Sequence, residues 1–114
     1  MIDVSDGLLQ DVGHLCAASG VAAELEAACL PLAPACRRAL GGAAAAFAAT
    51  AGEDYELVAA VPPRHTRALE RLRASIGCRL TPIGCVVAGP PAVRLRDAAG
   101  RVLPVPRQGF DHFR

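Results

Sequence analysis

Lysine and tryptophan are both absent from this chain of 114 residues, so all twelve basic side chains are arginines. Without lysine, the chain contains no Walker-type phosphate loop, no Schiff-base lysine and no lysine general base. No apolar run reaches the roughly 18 residues that a transmembrane helix needs. The N-terminus also lacks the basic and apolar segments of a secretory signal. We therefore expect no membrane partner.

The chain also lacks a large net charge, because its positive and negative side chains nearly balance and the formal net charge is only +1. Such a balance gives no general attraction to nucleic acid or anionic lipid, so we expect no nucleic-acid partner. The cysteines are odd in number and form no CxxC pair, which argues against a zinc site or a disulfide framework. The pattern predicts reduced thiols in a cytoplasmic protein. The five are Cys16, Cys29, Cys36, Cys78 and Cys85.

The order of apolar patterns predicts helix–strand–helix–strand–helix–strand–hairpin over a single domain, residues 1–114. This order is typical of an α/β (α+β) fold in which a mixed sheet is layered with helices. Strands are predicted at 21–27, at 79–88 and, as a buried strand closed by two prolines, at 55–61. Residues 92–105 read as a hairpin around the turn "DAAG".

The first polar cluster lies in "MIDVSDGLLQD", where Asp3, Ser5 and Asp6 stand between a short strand and an amphipathic helix that ends at Gly20. Backbone N–H groups and the positive end of the helix dipole point outward at such a turn, which suits a phosphate. A carboxylate there can hold Mg²⁺. The alternative is structural: Ser5 or Asp6 caps the helix, and the acidic residues merely complement the dipole.

The second polar cluster is "GEDYEL", in which Gly52 frees the backbone before Glu53, Asp54 and Glu56. Acidic groups at the entrance of a strand suit a cationic ligand or a metal, but they equally suit a solvated loop. The third cluster, "GFDHF", has Phe110 and Phe113 around Asp111 and His112. An aromatic side chain there can stack on a flat ring, or the two phenylalanines can simply anchor the tail.

In this order the three motifs resemble the C-terminal domain of thiamine-monophosphate kinase, over Met1–Phe113. The first motif extends as "MIDVSDGLLQDVGHLCAASGVAAEL" and is followed by "GEDYEL" and "GFDHF". That family belongs to the superfamily of aminoimidazole ribonucleotide synthetase and selenophosphate synthetase, whose C-terminal domain supplies the expected fold.

The resemblance implies transfer of the γ-phosphoryl group of ATP to thiamine phosphate, with Mg²⁺ ions as cofactor and ATP as co-substrate. It implies that Asp3 and Asp6 are magnesium ligands and that Ser5 contacts ATP. It further implies that Glu53 and Phe110 contact thiamine phosphate. No catalytic residue is carried over. The family usually has two glycines before the glutamate, whereas Ala51 and Gly52 stand here.

The resemblance also implies that the chain corresponds to the last third or so of such an enzyme. The N-terminal domain, which in the family binds most of the ATP and magnesium and forms the homodimer, would be absent, and the isolated chain is expected to be inactive. Two alternatives remain open. One is a superfamily member with a different phosphate acceptor, and the other is a non-catalytic binding or assembly module that keeps the fold.

Overall fold

The computed structural model describes residues 1–105, which contain five β-strands and four α-helices. The strands are β1 (Ile2–Val4), β2 (Ala22–Glu26), β3 (Glu56–Val58), β4 (Gly84–Val87) and β5 (Ala92–Arg96). The helices are α1 (Leu8–Ser19), α2 (Pro34–Leu40), α3 (Ala44–Thr50) and α4 (Thr66–Ile76). Short 3₁₀ turns cover Ala27–Cys29, Gly41–Ala43 and Pro63–His65.

The strands of this part of the chain form one mixed three-stranded sheet and one two-stranded ribbon. In the sheet β2 is central; it pairs in parallel with β5, Leu25 opposite Leu95, and antiparallel with β4. The ribbon pairs β1 antiparallel with β3, Asp3 opposite Leu57. The parallel β2–β5 pair requires a long crossover, which the intervening helices provide. The predicted α/β class with a mixed sheet is confirmed.

The core lies between α1, α3 and the three-stranded sheet. Its main cluster of buried side chains consists of Leu9, Leu25, Leu30, Ala49 and Leu95. Apolar residues recur along α1 at helical spacing, so one face of the helix is buried against the sheet while the opposite face is exposed to solvent. This packing fixes α1, and with it the turn that precedes the helix.

Glycine ends two of the helices, at Gly20, where the sequence predicts it, and at Gly77. Gly20 follows α1 with φ 65° and Gly77 follows α4 with φ 65°, both in the left-handed region that favours glycine. The start of α1 differs from the prediction. The cap position belongs to Gly7 and not to Ser5 or Asp6, and Gly7 forms no side-chain cap hydrogen bond.

Three predicted strands are shorter in the structure, and the one at 55–61 is also exposed where burial was predicted. The strand predicted at 79–88 covers only Gly84–Val87. The apolar run 55–61 forms a strand only over Glu56–Val58, and the Leu57 side chain is 71% exposed. The prediction of a buried strand was wrong because, among the described residues, β3 pairs only with β1. The return strand of the predicted hairpin 92–105 is reduced to a single bridge from Arg96 to Val102.

Residues 1–105 contain no helix that combines the length and the apolar content needed to cross a bilayer. All five cysteines are free thiols.

Candidate functional site

The first polar cluster occupies the turn between β1 and α1. Asp3 lies in β1 and is exposed, whereas Ser5 and Asp6 follow the strand and are half-buried. Val4, between them, is buried at 5% exposure and anchors the end of the strand. The three predicted polar residues therefore lie in β1 or directly after it, just before the start of α1.

The start of α1 is open to an anion. Gly7 occupies the cap position with φ 129° and, having no side chain, makes no cap hydrogen bond to the amides of the first turn. The first intrahelical bond runs from the Asp11 N–H to the Gly7 carbonyl at 2.9 Å. The preceding amides at the N-terminus of a helix have no partner within the helix and carry the positive end of its dipole. A phosphate group fits such a position.

Pairing of β1 with β3 brings the second polar cluster against the first. The Glu53 N–H donates to the Ser5 carbonyl at 2.7 Å, and the Tyr55 N–H donates to the Val4 carbonyl at 2.8 Å. About fifty residues of chain separate the two motifs, yet their backbones are in direct contact. Glu53, predicted as a substrate contact, thus lies beside Ser5, predicted as an ATP contact.

The backbone of the second cluster is strained. Glu53 has φ 68° and Tyr55 has φ 51°, which non-glycine residues seldom adopt. A left-handed conformation costs a non-glycine residue roughly 1–2 kcal/mol. Such residues persist where the surrounding structure holds them, and they concentrate at binding sites. Here the two hydrogen bonds to β1 and to the turn after it hold both residues.

Gly52 serves a different purpose from the predicted one. Its φ is not positive, so freedom of the backbone is not what the position requires. A Cβ built at Gly52 would lie 2.9 Å from the Ser5 carbonyl oxygen, closer than real Cβ atoms approach. The absence of a side chain at Gly52 therefore allows the two motifs to touch.

The second cluster is acidic, and its side chains are exposed. Loss of hydration at its carboxyl group nevertheless raises the pKa of Asp54, and the nearby Glu56 carboxylate raises this pKa further. Both effects disfavour the ionised form of Asp54, and a bound cation would relieve them. The electrostatics of this segment therefore favour a cationic ligand.

Sequence reasoning missed Asp11, which is the buried polar side chain of the site at 3% exposure. Its Oδ2 accepts hydrogen bonds from the Ser5 N–H at 2.9 Å and from the Asp6 N–H at 3.1 Å. The pattern offered one signal, an acidic residue in the first turn of α1, but nothing indicated that its carboxylate turns back to the preceding loop.

A second feature absent from the prediction is the approach of His14 to this cluster. Ligand atoms of Asp6, Asp11 and His14 all lie within 4.8 Å of one another. A pattern along α1 does not reveal this proximity, because it depends on how Asp6, which precedes the helix, folds toward His14. Asp3, predicted as a metal ligand together with Asp6, is not part of this group.

The residues present fit a magnesium ion by their chemistry. Asp3 and Asp6 offer carboxylate oxygens close in sequence to the start of α1, and Mg²⁺ prefers oxygen ligands from one or two carboxylates together with phosphate. The histidine nitrogen of His14 suits Mg²⁺ less well. Phe110, the predicted aromatic contact, lies outside the described residues.

Comparison with known proteins connects this geometry to a family. No model of a protein family matches the chain. The thiamine-monophosphate kinase of Salmonella typhimurium is 37% identical over 114 residues, which cover 98% of this chain. A crystal structure of the thiamine-monophosphate kinase of Stenotrophomonas maltophilia superimposes with a TM-score of 0.76 at 39% identity over 90% of this chain. The chain is a relative of the thiamine-monophosphate kinases.

The resemblance to thiamine-monophosphate kinase that the motifs indicate is thereby confirmed. A further similar structure is described as AaThiL complexed with AMPPCP and TMP; it has a TM-score of 0.73 and 30% identity over 98% of this chain. The match covers only part of each relative. The chain spans 34% of the Salmonella typhimurium kinase, 31% of the Stenotrophomonas maltophilia structure and 33% of AaThiL.

Proposed function

We propose that this chain is the C-terminal, substrate- and metal-binding part of an ATP-dependent kinase that phosphorylates thiamine phosphate to thiamine diphosphate. The observation that carries the proposal is the hydrogen bond from the Glu53 N–H to the Ser5 carbonyl. It joins the residue assigned to the substrate and the residue assigned to ATP in one site. The relationship to thiamine-monophosphate kinases along 98% of the chain supports the choice of reaction.

The site residues divide into three proposed roles. Asp3 and Asp6 bind Mg²⁺, which when bound would neutralise phosphate charge, and Ser5 contacts ATP beside the open start of α1. Glu53 and Phe110 bind thiamine phosphate. A carboxylate at position 53 complements the positive charge of a thiazolium ring, and the acidic surroundings of Asp54 add to that field. Transfer of a phosphoryl group depends mainly on positioning and charge neutralisation, which such a site supplies.

The remaining part of the enzyme is proposed to be an N-terminal domain that carries further ATP and magnesium ligands and forms a homodimer. Exposed side chains in and next to β3 support this idea: Tyr55, which precedes the strand, is 73% exposed, and Leu57, within it, is 71% exposed. Apolar side chains in such a position favour contact with another surface. A cytoplasmic location belongs to the same proposal and is supported by the five free thiols.

The test is calorimetric titration of the chain with thiamine phosphate, with and without Mg²⁺ and ATP. We expect binding heat that is lost in Glu53→Gln, which keeps the size of the side chain and removes its charge. Glu56→Gln is the matched control, since Glu56 is also exposed and lies three residues further in the same acidic stretch. Equal binding by Glu53→Gln and wild type would contradict the assignment of Glu53.

A second assay separates the kinase from its alternatives. The chain would replace the matching third of the Stenotrophomonas maltophilia kinase, and formation of thiamine diphosphate would be measured for the hybrid. Activity that disappears with Glu53→Gln supports the proposal, whereas a folded hybrid with no activity favours another acceptor or a binding module. The isolated chain is expected to give no turnover, so full activity of the chain alone would contradict the need for a second domain.

A further inference from the structure

Asp11 is an unusual residue for its position. It is the buried charged side chain among residues 1–105, with 3% of its surface exposed. Burial of a carboxylate is unfavourable unless hydrogen bonds compensate for the lost water. Two compensating hydrogen bonds reach one atom, Oδ2, and both come from backbone amides of the turn, those of Ser5 and Asp6.

Both backbone groups of Ser5 are hydrogen-bonded, its N–H to Asp11 and its carbonyl to Glu53. The Ser5 N–H donates to Asp11, and the Ser5 carbonyl accepts from the Glu53 N–H at 2.7 Å. The adjacent Asp6 amide is held by the same carboxylate at 3.1 Å. The shape of the turn, and hence where Asp6 and Ser5 present their side chains, depends on Asp11. Its own position is fixed by α1, which packs into the core through Leu9.

A competing role is direct metal ligation, since ligand atoms of Asp6, Asp11 and His14 lie within 4.8 Å of one another. Two observations oppose it. The Oδ2 atom of Asp11 already accepts two N–H groups, and the side chain is almost sealed from solvent. We propose that Asp11 is a positioning residue that shapes the Ser5–Asp6 turn for metal and phosphate through the two backbone amides, and that it is not itself a ligand.

The identity of the ligands at this turn rests on the proposed function, but the effect of Asp11 on the turn can be tested without any ligand. Asp11→Asn keeps a carbonyl oxygen able to accept two hydrogen bonds, whereas Asp11→Ala keeps none. Amide hydrogen exchange at Ser5 and Asp6 reports directly on the bonds. We expect exchange to accelerate roughly 10- to 100-fold in Asp11→Ala, the range that corresponds to losing a hydrogen bond to a charged group. In Asp11→Asn most of the protection remains.

Gln10→Ala, one residue earlier in the same helical turn, controls for nonspecific loosening of α1. It should leave exchange at Ser5 and Asp6 unchanged. Unchanged exchange in Asp11→Ala would overturn the proposal, as would equal acceleration in Asp11→Ala and Gln10→Ala. Because this measurement uses no ligand, it decides on Asp11 even if the chain binds neither ATP nor thiamine phosphate.

Titration with Mn²⁺ as the probe then separates positioning from ligation. A positioning role predicts that Asp11→Asn and His14→Ala bind Mn²⁺ within about threefold of wild type, while Asp11→Ala binds it at least roughly tenfold more weakly. Ligation by the Asp6–Asp11–His14 group predicts that Asp11→Asn and His14→Ala lose affinity together. That joint loss would overturn the proposal, even with the exchange pattern intact.

Discussion

Replacement of Gly52 by alanine tests whether the contact between the two motifs is as close as the structure has it. The new Cβ would lie 2.9 Å from the Ser5 carbonyl oxygen, which belongs to backbone and cannot rotate away. Overpacking of this kind costs about 1–3 kcal/mol. The shift needed to relieve it also lengthens the bond between the Glu53 N–H and that same oxygen, which adds about 1 kcal/mol.

An opposing contribution comes from the unfolded state. Alanine has less backbone freedom than glycine, which stabilises the folded chain by about 0.4–1 kcal/mol wherever the native conformation accepts it. Gly52→Ala should therefore lower the free energy of unfolding by a net amount of about 2 kcal/mol. For a domain of this size such a change lowers the Tm by roughly 10 °C.

The assay is thermal unfolding followed by circular dichroism, with Gly42→Ala as the matched control. A Cβ at Gly42 meets nothing within 4 Å, and its φ is not positive. Gly42→Ala should leave the Tm unchanged or raise it slightly. A Gly52→Ala variant that melts with Gly42→Ala, or above wild type, would refute the close approach of Gly52 to the turn after β1.

Two further predictions concern the three-stranded sheet. Leu95→Ala removes most of a core side chain that is 1% exposed, and in urea denaturation it should reduce the free energy of unfolding by about 2–5 kcal/mol. The control Leu57→Ala alters a side chain that is 71% exposed and should change the free energy of unfolding by less than about 0.5 kcal/mol. Similar losses for both would contradict the assigned core. The Arg96 side chain donates a 2.6 Å hydrogen bond to Glu24, and this bond together with the positive charge lowers the pKa of Glu24 from its ordinary value of 4.5. The unfolded chain then binds more protons at acid pH, so the stabilisation from Glu24 is present above pH 4.5 and is lost as the pH falls through the lower folded pKa. Glu24→Gln should thus be less stable than wild type near neutral pH and lose less stability on acidification. If the free energies of unfolding of the two proteins changed in parallel across about pH 3 to 7, the ion pair would be contradicted.

Local sequence patterns correctly predicted those helices and strands that are specified by residues close together in the chain. The helix that ends at Gly20 and the strand predicted at 21–27, which covers Ala22–Glu26, lie where apolar spacing and glycine indicate them. These signals work because helix periodicity and left-handed helix ends depend on neighbours along the chain. Sequence motifs also indicated the family, since Asp3, Ser5, Asp6 and Glu53 stand in a recognisable order.

Tertiary structure alone decided how those motifs meet. The burial expected for residues 55–61 was wrong because an apolar run reports hydrophobicity but not which surface covers it. Likewise, a helix cap at Ser5 or Asp6 was the locally favoured arrangement, yet the two residues instead donate their amides to Asp11. That bond depends on how the turn folds over α1.

By itself, then, the sequence determined the types of most elements, the polar residues available to the site and the relationship to thiamine-monophosphate kinases. The pairing of β1 with β3, the left-handed backbone at Glu53 and the buried carboxylate of Asp11 were decided only by the folded chain. The physical reason is distance along the chain. Contacts such as Ser5 with Glu53 form when packing of the core overcomes the entropy of closing a long loop, and no short stretch of residues encodes that balance.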